Sequence, residues 1–84
     1  MKRWEELSGE EVGKVMKWYG NLCKFSENYF PGEEFTLVDR VLILSILKER
    51  IHHLDLDDRY LGSNIRMVVG RGMREFGYNV KEVR

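Results

Sequence analysis

The chain has 84 residues, 43% hydrophobic and 33% charged, with 14 basic and 14 acidic side chains and no formal net charge. One proline and that apolar fraction exclude a disordered chain, and the lone cysteine, Cys23, excludes an internal disulfide and a cysteine-built zinc site. The longest apolar run, Val41 to Leu44, is too short to span a bilayer, and no apolar stretch follows Met1-Lys2-Arg3-Trp4-Glu5-Glu6 as it would in a signal peptide, so the expectation is one cytoplasmic domain, residues 1–84, with no membrane partner.

Ser8-Gly9-Glu10-Glu11 reads as a capping box opening the first helix, with Leu7 and Val12 placed for a hydrophobic staple. Val12, Val15, Met16, Tyr19, Leu22 and Cys23 then recur at i, i+3, i+4, i+7 spacing and form one apolar stripe, flanked by Trp18, Phe25 and Tyr29. Gly13 and Gly20 lower helix propensity by roughly 1 kcal/mol each against Ala, which points to close contact with another helix. Phe30-Pro31-Gly32 ends the segment.

Thr36 with Asp39 three residues later marks the start of a second helix, which runs to about Leu54. Leu37, Val38, Val41 to Leu44, Ile46, Leu47, Ile51 and Leu54 make it apolar on more than one face, the pattern of a central helix contacted from two sides. The β-branched run from Val41 to Leu47 also fits a buried strand, but the caps and the length favour helix. In the following His52-His53-Leu54-Asp55-Leu56-Asp57-Asp58, Asp57 or Asp58 caps a short helix through Leu61, and Ser63 or Asn64 caps the last one.

On a helical wheel, Ile65, Val68, Val69, Met73 and Phe76 share one arc, with Arg66, Arg71, Arg74 and Met67 opposite. Gly77 falls at the position of a left-handed C-terminal cap, and residues 78–84 alternate apolar and charged, as a short edge strand or a tail. The fold expected is therefore mostly α: a small three- to four-helix domain with a helix-turn-helix-like C-terminal half.

The charges are segregated. Residues 59–84 carry six basic groups (Arg59, Arg66, Arg71, Arg74, Lys81, Arg84) against Glu75 and Glu82, a net of +4, which leaves −4 for residues 1–58. Such a basic end calls for duplex DNA or an acidic protein surface as partner. Arginine pairs bidentately with phosphate and with the guanine edge, and a helix enters the major groove. The run Val69-Gly70-Arg71-Gly72-Met73-Arg74-Glu75-Phe76-Gly77-Tyr78 resembles the C-terminal helix of winged-helix domains in viral and plasmid replication proteins. That resemblance covers ten residues and implies that this helix approaches DNA; residues 1–35 have no counterpart in it. In this reading Arg66, Arg71, Arg74 and Lys81 contact phosphate, with Asn64 and Arg66 nearest the base edges. Three arginines on one short helix, without a following wing, bind DNA weakly as a monomer, so a dimer or a larger complex is the expected DNA-binding form.

The rival reading is a protein-interaction module or inhibitor without nucleic-acid affinity. Aromatic residues crowd the first 35 positions, and Trp4, Trp18, Phe25 and Tyr29 are candidates for its interface, with a homodimer as its simplest form. The ordinary alternative is that these rings fill the core. No cofactor fingerprint is present: Gly70, Gly72 and Gly77 are spaced G-x-G-x-x-x-x-G, unlike the dinucleotide and phosphate loops, and Gly70 and Gly72 read as helix-packing positions. No metal site is expected from His52, His53, Asp55, Asp57 and Asp58, because capping explains them and the calcium-loop glycine and glutamate are missing. No catalytic residue is assigned: Cys23 lies on the apolar stripe, Ser45 in the most apolar run, and Glu33-Glu34 in a turn.

Overall fold

The computed structural model describes residues 2–26 and 35–80. A 3₁₀ turn at Trp4–Glu6 leads into α1 (Gly9–Lys24), α2 (Leu37–Arg50) is prolonged by a 3₁₀ turn at Ile51–His53, and α3 (Leu61–Glu75) is the last helix of the described part. The fold is all-α, and among the described residues there is no strand; residues 78–80 carry no regular secondary structure, and residues 81–84 lie outside the described part.

Two reciprocal capping boxes set the starts of α1 and α2. The Glu11 N–H donates to Ser8 Oγ at 3.1 Å and the Ser8 N–H donates to Glu11 Oε1 at 3.0 Å. At α2 the Asp39 N–H donates to Thr36 Oγ1 at 3.3 Å, and the Thr36 N–H donates to Asp39 Oδ2 at 2.8 Å. Each box satisfies two backbone donors that a bare helix start leaves open. α1 ends at Lys24 with Phe25 as its cap, ahead of the expected breaker Phe30-Pro31-Gly32, which lies outside the described residues. The α-helical part of α2 ends at Arg50, and the tighter turn carries the chain to an extended Leu54, which matches the expected end of that helix.

α3 departs from expectation at its start. No separate short helix precedes it, and it begins at Leu61 with Tyr60 as N-cap and no capping side chain. Ser63 and Asn64 therefore sit inside the first turn. Asp58 does the organising: it accepts from the Tyr60 N–H at 2.7 Å through Oδ1 and from Asn64 Nδ2 at 3.0 Å through Oδ2, while its carbonyl accepts from the Leu61 N–H at 3.2 Å. At the other end the Gly77 N–H donates to Arg74 O and the Tyr78 N–H to Met73 O, with Gly77 at φ 89°. That is the paired-bond cap in which glycine supplies the left-handed residue. The chain then turns back over α3, and the Tyr78 hydroxyl donates to Asp39 Oδ1 at 3.0 Å.

α3, not α2, is the shared helix of the core, since the main packing runs from α1 to α3 and from α3 to α2. Val15 and Leu22 of α1, Ile43, Ile46 and Leu47 of α2, and Leu61, Ile65, Val69 and Met73 of α3 meet in one cluster, closed by Ile51 and Leu54. Two glycines make this possible. A Cβ on Gly62 would lie 2.5 Å from Trp18 of α1, and one on Gly72 would collide with Ile46 Cγ2 of α2. Gly72 is thus a packing glycine as expected, whereas Gly70 faces Val80 at ordinary contact distance. Gly13 and Gly20, expected at a helix contact, make none among the described residues: a Cβ added at either would meet nothing there within 4 Å, since both lie on the side of α1 away from Val15.

Three apolar expectations also fail at the periphery. Leu37, Val38 and Val41 of α2 are 76%, 74% and 58% exposed, so this end of α2 is covered on one side only among the described residues. Met16 is exposed, and Trp18 takes its place on the buried side of α1. Phe76, the C-cap residue of α3, is also exposed.

The glycine contacts separate two kinds of substitution. Gly72→Val should lower unfolding free energy by about 1–3 kcal/mol through overpacking against Ile46, whereas Gly13→Ala should raise it by about 0.5–1 kcal/mol; urea denaturation of both variants checks the contrast. Asp39 is held below the usual carboxylate range, first by the Thr36 backbone N–H and then by the Thr36 and Tyr78 hydroxyls. A depressed folded value means its stabilisation is complete above the unfolded value, about 3.9, and is lost as pH falls through the folded one. Thermal melts from neutral pH to pH 2 should therefore show a smaller acid-induced fall in Tm for Asp39→Asn than for the unaltered chain.

Candidate functional site

The segment from residue 59 to residue 74 contains four arginines and no acidic residue. It comprises the entry to α3 and nearly all of that helix. The nearest acids are both engaged: Asp58 braces the start of α3, and Glu75 pairs with Arg50 at the end of α2. The positive charge of α3 is therefore not neutralised from within its own helix.

The arginines do not form one uninterrupted face. At about 100° per residue, Arg66, Arg74 and Arg71 span an arc of about 140°, with Gly70 between Arg66 and Arg74. Gly70 is buried, and Val80 of the returning chain packs there, 3.6 Å from where a Cβ would stand. The returning segment thus separates Arg66, on the α1 side, from Arg71 and Arg74, both exposed. Arg71 borders a second hollow with Arg50, His53, Asp55, Asp58 and Met67, of mixed charge.

Arg66 is half-buried and donates through Nη2 to Ser63 Oγ at 3.0 Å. It helps line a recess of about 490 Å³ between the end of α1 and the start of α3, together with Trp18, Asn21, Leu22, Lys24, Phe25, Arg59, Tyr60, Gly62 and Ser63. Three cations and three aromatic rings share this concavity, and no carboxylate lines it among the described residues. Phe25 and Tyr60 are 50% and 64% exposed, and Lys24 Nζ stands 5.7 Å from the Phe25 ring centroid. The recess exists because Gly62 lets Trp18 lie against the first turn of α3, which brings the two helix ends side by side.

The residues singled out from the sequence are placed unevenly. Arg71 and Arg74 stand on the outer arc as expected, and Lys81 lies outside the described residues. Asn64, expected near base edges, gives its amide to Asp58 and is occupied as a brace. Of the aromatic set, Trp4 and Trp18 are half-buried against the core, with Lys48 Nζ 5.2 Å from the Trp4 ring; Phe25 is exposed, and Tyr29 lies outside the described residues. Sequence reasoning missed Lys24, Arg59 and Tyr60, although the adjacent cation–aromatic pairs Lys24-Phe25 and Arg59-Tyr60 were a signal.

Cys23 is buried, and Tyr19 beside it is pushed up to about 12, chiefly by burial, so the phenol stays protonated near neutral pH. The Tyr19 hydroxyl donates to Arg40 O at 2.8 Å, a structural tie between α1 and α2. No three His, Cys, Asp or Glu side chains gather into a metal-binding group among the described residues, and the His52 and His53 rings contact each other with centroids 4.1 Å apart. No helix among the described residues is long and apolar enough to cross a membrane.

No family model, curated protein or solved structure matches the chain. The ten-residue resemblance to winged-helix replication domains therefore rests on its own residues, and the reading of the site rests on geometry and charge.

Proposed function

We propose that this protein is a small, non-enzymatic DNA-binding or regulatory protein that uses the basic surface of α3 and its N-terminal flank. The observation that carries the reading is the acid-free stretch from residue 59 to residue 74, whose four arginines lie exposed or half-buried around one helix. Guanidinium groups on a rigid helix lose little conformational freedom on meeting phosphate, and each contact releases condensed counterions. Arg71 and Arg74 supply the outer contacts, and Arg59, Arg66 and Lys24 continue the positive surface around the start of α3. The split imposed by Val80 favours backbone contacts from two flanks over a single helix seated deep in a groove. Modest affinity per chain fits a dimer as the working form.

A second reading keeps one specific observation in its favour: the exposed Leu37, Val38 and Val41 at the start of α2 are the kind of apolar surface that protein interfaces cover. In that reading the protein is an interaction module or inhibitor, and the arginines face an acidic partner.

Three or four phosphate contacts at roughly −0.9 each give a log–log salt slope near −3 for binding to random duplex DNA. Arg71→Gln with Arg74→Gln should make that slope shallower by about 2 and weaken binding at low salt. Fluorescence anisotropy across a salt series measures both. Binding indifferent to salt, or unchanged in the double variant, would sink the DNA reading in favour of the second one.

A further inference from the structure

The outer arginines account for backbone contact, but they leave the aromatic-lined recess unexplained. A site that met only phosphate would need cations and hydrogen-bond donors; exposed rings beside them would gain nothing. A site that met only apolar groups would have no use for three cations. The combination in one concavity matches a ligand with a flat aromatic face and an attached anion.

We infer that the recess between the end of α1 and the start of α3 binds a nucleoside phosphate whose base is unpaired. The base stacks on the exposed rings of Phe25 and Tyr60, and the phosphate is met by Lys24, Arg59 and Arg66. Among the described residues neither Lys24 nor Arg59 pairs with a carboxylate, so both charges are available to an incoming anion. Its volume of about 490 Å³ is in the range of small-ligand sites, roughly 300–1,000 Å³. A base inside a duplex is stacked on both faces and cannot enter, so the site selects single strands or free nucleotides. For a strand as the source, the inference rests on the nucleic-acid reading above; for a free nucleotide it does not.

The test uses the full chain with Trp4→Phe, which leaves Trp18, a wall of the recess, as the sole tryptophan. Its emission is followed during titration with a short oligothymidylate, with thymidine monophosphate and with random duplex DNA at low salt. The expected result is quenching of Trp18 by the oligothymidylate, with affinity reduced roughly tenfold or more by Phe25→Ala with Tyr60→Ala. Because both rings are exposed, that variant should keep its Tm. Lys24→Gln with Arg59→Gln should weaken the same binding and make its salt dependence shallower, while Arg71→Gln with Arg74→Gln should leave the maximal quench unchanged. Quenching by the monophosphate without strand or duplex binding would uphold the recess and remove the nucleic-acid reading. Duplex binding without quenching by either single-stranded ligand, or an affinity indifferent to the loss of both rings, would overturn the recess and leave the nucleic-acid reading standing. Absence of binding to all three would overturn both.

Discussion

The close seating of α3 against its two neighbours is the constraint on which the rest of the molecule depends. Gly62 receives Trp18 on one flank of the helix and Gly72 receives Ile46 on the other. A side chain at either position would push a neighbouring helix outward and open the cluster built on Val15, Leu47, Ile65 and Val69, all of them fully buried. Each such side chain contributes about 1.5–3 kcal/mol by leaving water, so a domain this small has little spare burial to lose. The same geometry sets the site. Trp18 can lie against the start of α3 only because Gly62 is bare, and that contact brings Lys24 and Phe25 beside Arg59 and Tyr60.

Charge then decides what faces outward. Two acids beside α3 are drawn into its supports: Asp58 holds the first turn and Glu75 meets Arg50. Asp58 and Glu75 are thus engaged within the fold, and Asp58 also borders the mixed-charge hollow beside Arg71. The returning segment, fixed by the Gly77 cap, divides that surface into an outer pair, Arg71 and Arg74, and an inner group around the recess. The two parts suit different features of a polyanion, its backbone and its unstacked bases.

Local grammar is legible in the sequence. The boxes at Ser8 and Thr36, the end of α2 near Leu54 and the left-handed cap at Gly77 all rest on neighbours within a few residues, and all three kinds of signal hold at those positions. What depends on distant neighbours is not legible in the same way. Glycines look alike along the chain, yet Gly13 and Gly20 face away from Val15 while Gly62 and Gly72 border the apolar arc of α3; the wheel, applied to the glycines themselves, separates them. The apolar excess of α2 reads as two-sided burial, because sequence reports hydrophobicity and not which element covers it. Side-chain type alone points to Ser63 or Asn64 as the start of α3, whereas backbone and side-chain bonds to Asp58 begin it at Leu61. The recess is the hardest to foresee, since its walls come from two segments more than thirty residues apart.

In the proposed reading one surface, the end of α1 together with the flank and outer arc of α3, meets nucleic acid. Backbone amide NMR during titration with a short single-stranded oligonucleotide at low salt tests it most directly. The expected shifts are confined to residues 21–25 and 59–74, with the largest at Phe25 and in residues 59–66. Shifts centred instead on Leu37, Val38 and Val41, or no shifts at saturating oligonucleotide, would contradict it.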